Sequence, residues 1–102
     1  MILIADDEER DRIWLKSLLN DNFADNGPIE EAHDGQQVVD MALKLKPPLV
    51  FLDIKMPHLS GIKAAEQILT QLPNTAIIML SNFSDEVYVR QLWKVVPPNG
   101  VF

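Results

Sequence analysis

The sequence predicts an α/β fold: a parallel sheet with helices packed on both faces. Short apolar runs alternate along the chain with segments whose apolar residues recur at helical spacing. Most of those runs are apolar throughout rather than at every second position, as strands buried on both faces require. The chain has 102 residues, 47% of them hydrophobic and 24% charged, which fits one small domain spanning 1–102.

Taken in order, residues 1–5 form an apolar, β-branched first strand, and the acids at 6–9 suit the N-terminus of a helix. Leu15, Leu18, Leu19 and Phe23 then place one apolar stripe on the first helix. Asn26-Gly27-Pro28 breaks the chain before a weak strand at Ile29–Ala32, and Asp34-Gly35 forms the next turn. Val38, Met41, Ala42 and Leu45 mark a second helix, stopped by Pro47-Pro48. The third strand covers 49–52, followed by a loop over 57–61. Ile62, Ala65, Ile68, Leu69 and Leu72 trace the third helix, which ends near Pro73. Ala76–Leu80 is a fourth buried strand. Ser84-Asp85-Glu86 reads as the cap of a fourth helix carrying Tyr88, Leu92 and Val95.

Several function classes are disfavoured. Without cysteine there is no disulfide framework and no thiolate metal site, and a reducing compartment fits. A run such as Ala76–Leu80 falls far short of the roughly 20 apolar residues of a membrane-spanning helix. The acids at 6–9 come too early for a signal peptide, so a soluble, cytoplasmic protein is expected. A net charge of −6 argues against binding a phosphate backbone directly.

In a parallel α/β sheet, ligands bind beyond the carboxyl ends of the strands, where strand order reverses. The chain places Asp6 and Asp7 after the first strand, Asp53 at the end of the third and Ser81 after the fourth. Taken singly, the acids could cap helices or loops, and Ser81 could be a turn former. His33 and His58 read as exposed loop residues and receive no role. Three carboxylates drawn together repel, unless a cation holds them. Mg²⁺ suits such a set, because it takes carboxylate, carbonyl and water oxygens and keeps room for a phosphate oxygen. Asp53 could then act as a nucleophile toward a phosphoryl group.

At these residues the sequence resembles a response-regulator receiver domain of two-component signalling, from residue 2 to about residue 91. "ILIADDE" resembles the family's first strand with its acid pair. "LVFLDIKMPHLSG" resembles its acceptor strand with the D-x-x-M-P-x-x-x-G loop, and "AIIMLS" the strand that ends in Ser or Thr. The resemblance implies a flavodoxin-like, doubly wound fold with Asp53 as the phosphoacceptor. Asp7 would be a direct Mg²⁺ ligand and Asp6 a ligand largely through water. The Lys55 backbone carbonyl would be a further ligand, and Ser81 the hydroxyl that moves toward the phosphoryl group. It also implies a histidine kinase or phosphotransfer protein as donor. With no output domain following, output is expected through another protein, or this chain is the receiver part of a longer one. Of catalysis it implies at most slow self-phosphorylation and autodephosphorylation.

After Gln91 the pattern departs from the family. "LWKVVPPNGVF" stands where a helix end, a fifth strand bearing a lysine and a fifth helix are expected. The domain is therefore expected to lack its last helix and most or all of the fifth strand, whose entry could be Asn99-Gly100-Val101-Phe102. The uncovered face would favour self-association, and phosphorylation would be weak or uncoupled from output. A frameshift in the coding DNA near Leu92 accounts for this tail: read one base earlier, Lys94 becomes Glu and its neighbours can become Leu, Gly, Gly and Ala. A naturally divergent or trimmed domain accounts for it equally. A flavodoxin-like cofactor binder would share the architecture, but the acids at 6–9 would repel its phosphate. An aspartyl-nucleophile phosphatase would place nucleophile and acid in one motif. The remaining alternative is a degenerate receiver acting as a phosphorylation-independent interaction module.

Overall fold

The three apolar runs of the sequence and the weak strand at Ile29–Ala32 become four neighbouring parallel strands. In this computed structural model residues 1–22, 25 and 27–80 are described, together with the backbone of 94–96. The elements are β1 (Ile2–Ala5), α1 (Glu9–Asn22), β2 (Ile29–Ala32), α2 (Gly35–Leu45), β3 (Leu49–Asp53), α3 (Gly61–Gln71), β4 (Ala76–Leu80) and β5 (Lys94–Val96). They form a five-stranded sheet in the order β2-β1-β3-β4-β5. Strands β1 to β4 pair in parallel, giving the expected doubly wound, flavodoxin-like layout.

Alternation along each strand sends side chains to two separate cores. Leu3 and Ala5 of β1, Val50 and Leu52 of β3, and Ile77 and Met79 of β4 pack with Val38, Val39 and Ala42 of α2 and Ala64, Ala65 and Ile68 of α3. Ile2, Ile4 and Phe51 point the other way and pack with Leu15 and Leu19 of α1. Both strand faces are buried, which is why these strands are apolar without interruption. Strand β2 differs because it lies at the edge, and its centre is Glu30-Glu31.

Local chemistry fixes the helix ends. Asp34 caps α2, its Oδ1 accepting from the Gln37 N–H at 2.8 Å, and Ser60 caps α3, its Oγ accepting from the Lys63 N–H at 3.3 Å. Lys46 closes α2 in the left-handed region at φ 51°, donating its N–H to the Ala42 carbonyl.

Some sequence expectations need correction. Leu18 and Ile62 belong to the apolar stripes expected to be buried, yet they are 41% and 53% exposed, and Ile13 and Trp14 of α1 also face outward. The sheet covers a narrower face of each helix than the full apolar set, so the buried line of α1 is Arg12, Leu15 and Leu19. Val95, expected on a fourth helix, lies in β5, which pairs antiparallel with β4 through Ile77↔Val96, Ile78↔Val95 and Met79↔Lys94. Two β-branched valines, the second followed by a proline, favour extended backbone there. Phe23, the cap at 84–86, Tyr88, Leu92 and the tail from Pro97 onward lie outside the described residues, as does Ser81.

Candidate functional site

The strand order reverses between β1 and β3, where β2 lies to one side of β1 and β3 to the other. Both strands end at this switch point, β1 at Ala5 and β3 at Asp53. Because Ala5 pairs with Leu52, the residue after each lies at the same level of the sheet. Asp6, Asp7 and Asp53 are accordingly brought together, each offering a carboxylate oxygen within 4.8 Å of the others. Asp53 is 4% and Asp6 7% exposed, while Asp7 faces solvent.

The chain itself orients these groups. Oδ1 of Asp6 accepts the Glu8 N–H at 2.9 Å, and the Asp6 N–H donates to the Ala32 carbonyl of β2 at 3.2 Å. Oδ1 of Asp53 accepts the Lys55 N–H at 3.4 Å. Burial pushes the Asp53 carboxyl up to about 7 from its ordinary 3.8, with the neighbouring Asp6 charge adding to the rise. The Lys55 N–H opposes that shift, Asp7 adds to it, and the Ile54 N–H opposes it in turn. Such a cluster holds excess negative charge at neutral pH, and a divalent cation among these oxygens would relieve it.

Two glycines set the loop that follows Asp53. A β-carbon on Gly61 would collide with the Asp53 carbonyl, and the Gly61 N–H donates to the Ile54 carbonyl at 2.8 Å. A β-carbon on Gly35 would likewise collide with the Leu59 carbonyl. The first turns of α2 and α3 thus close on the 54–60 loop from both sides. Gly61 was legible in the sequence as a loop-shaping residue. Gly35 read only as a turn former, although it begins α2 and takes this close contact. Residues His33 and His58, given no role from the sequence, stand apart from the carboxylate cluster, the only group of potential metal ligands among the described residues.

Fold and site together define a class: doubly wound α/β proteins with a carboxylate cluster at the switch point of the sheet. Comparison with known proteins narrows that class to one family, since the response regulator receiver domain matches residues 2–96. The chain belongs to this family, a signalling domain of two-component systems. It is 36% identical over 88 residues to the uncharacterized transcriptional regulatory protein YxjL of Bacillus subtilis, covering 86% of this chain and 40% of that protein. To the response regulator protein VraR of Staphylococcus saprophyticus it is 34% identical over 89 residues, covering 85% and 42%. It spans less than half the length of these two relatives. Among solved structures, the response regulator TrrA of Thermotoga maritima in complex with Mg(2+)-BeF superposes with a TM-score of 0.74 at 32% identity, covering 89% of this chain and 75% of that one.

Proposed function

We infer that this domain accepts a phosphoryl group on Asp53 in a Mg²⁺-dependent transfer from a histidine kinase or phosphotransfer protein. The observation that carries this reading is the buried Asp53 carboxylate at the mouth of β3, inside an acid cluster that raises its proton affinity. An Asp53 oxygen would attack phosphorus as the bond to the donor nitrogen breaks. The donor imidazole leaves with that electron pair, and Asp53 becomes an acyl phosphate.

Asp6, Asp7 and Asp53 form a donor set suited to a hard cation, with the Lys55 carbonyl as a further oxygen. Bound Mg²⁺ would neutralise charge on the phosphoryl oxygens. Asp7 is the exposed member of the set. The TrrA complex with Mg(2+)-BeF supports the metal assignment by similarity. Ser81 is proposed as the hydroxyl that contacts the phosphoryl group, because it follows in sequence Leu80, which pairs with Asp53. A separate protein or a further domain would read out the modified state, and a kinase-fed receiver would act in the cytoplasm.

Incubation with Mg²⁺ and a small acyl-phosphate donor, followed by intact-mass measurement, tests the reading. Wild-type protein is expected to gain one phosphate, and Asp53→Asn to gain none. An absent adduct at high donor concentration would point instead to a phosphorylation-independent interaction module.

A further inference from the structure

Arg12 stands apart from the apolar residues that share its face of α1. It is the only buried cation among the described residues, at 8% exposure, and it sits in line with Leu15 and Leu19. A guanidinium withdrawn from water needs partners, and two are present. Nη1 donates to the backbone carbonyl of Asp6 at 2.8 Å, and Nε donates to Oε1 of Glu31 on β2 at 3.2 Å. Glu31 is held in turn from its other oxygen by Lys16 Nζ, also at 3.2 Å.

The carbonyl that Arg12 grips belongs to the peptide joining Asp6 to Asp7. A peptide unit is planar, so holding its oxygen fixes the plane from which Asp7 departs. The same residue is tied on its other side, where the Asp6 N–H donates to Ala32 of β2. Both constraints lead back to β2, one through Ala32 and one through Glu31. The Asp6 backbone is thus held from both α1 and the edge strand.

We propose that Arg12, braced by Glu31, is a positioning residue for the metal site: it presents Asp6 and Asp7 to Asp53 in the arrangement that binds Mg²⁺. This rests on the reading of Asp6, Asp7 and Asp53 as the Mg²⁺ site. Lysine keeps the charge but places it on a single nitrogen, which cannot span the Asp6 carbonyl and Glu31 as the guanidinium fork does. Loss of an outer partner of this kind lowers metal affinity by about tenfold or more.

The test is calorimetric titration of Mg²⁺ into wild type, Arg12→Lys and Glu31→Gln, at a temperature where circular dichroism shows all three folded. The same proteins are then phosphorylated by a small acyl-phosphate donor across a range of Mg²⁺. Arg12→Lys is expected to bind Mg²⁺ about tenfold more weakly and to recover its phosphorylation rate at saturating Mg²⁺. Glu31→Gln should shift affinity in the same direction by less, since Arg12 keeps its bond to Asp6. An Arg12→Lys variant of lowered melting temperature but wild-type Mg²⁺ affinity would show a merely structural strut and overturn the proposal. So would a rate loss that saturating Mg²⁺ leaves uncorrected. Wild-type protein that takes up no Mg²⁺ overturns both this proposal and the metal reading beneath it.

Discussion

Asp53 carries its own pH signature. Its carboxyl is raised to about 7, first by burial and next by the Asp6 charge. Between the ordinary 3.8 and about 7 the folded chain holds this proton more tightly than the unfolded chain does. Stability from this group is therefore present at low pH and is lost as pH rises through that window. In the presence of a chelator, Asp53→Asn is expected to be more stable than wild type at pH 8, by on the order of 1–2 kcal/mol, or several degrees in melting temperature. The gap should narrow at pH 5, where the wild-type carboxyl is already protonated. Thermal melts at the two pH values check this, and a pH-independent difference would mean that burial and the neighbouring acids do not raise the Asp53 carboxyl as argued.

Elements meet at the 54–60 loop, where the first residues of α2 and α3 come too close for any side chain. In Gly61→Ala the new methyl would press on the Asp53 carbonyl, which is backbone in a buried strand and cannot rotate away. A loss of about 1–3 kcal/mol is expected, with slower phosphorylation because the acceptor's own peptide is displaced. Gly35→Ala should cost a similar amount of stability but slow phosphorylation less, since its contact is with Leu59 rather than with the acceptor. Melting temperature and the initial rate of adduct formation, measured on both variants, separate the two effects.

The sequence exposed Asp53 because an acid closing an apolar run is visible without tertiary information. The acids after β1 were visible for the same reason, and the four parallel strands were found to within a residue at each end. Gly35 stayed hidden because an Asp-Gly pair looks the same in a plain turn as at a helix start under a crowded loop. Arg12 and Glu31 stayed hidden because their ion pair joins residues 19 apart in sequence. No local pattern marks a charged side chain that a neighbouring strand will bury. Leu18 and Ile62 misled in the opposite direction, since apolar character sets what a helix can bury and the neighbouring sheet sets what it does bury.

For the molecule as a whole, an ion that binds only the folded chain shifts the folding equilibrium by mass action. Mg²⁺ at ten times its dissociation constant should stabilise the protein by about 1.4 kcal/mol. A melting temperature that climbs with Mg²⁺ in wild type and hardly moves in Asp53→Asn would report that coupling.

The edge strand has a further consequence. An outermost strand exposes a row of unpaired peptide groups to which a strand of another chain can add, the first step toward aggregation. In β2 the centre of that row is Glu30-Glu31. A second copy docking edge to edge would set its own acids against these, and Glu31 is already neutralised by Arg12 and Lys16, which leaves Glu30 as the carboxylate opposing such pairing. An acidic centre on the outermost strand thus disfavours strand addition at the open side of the sheet.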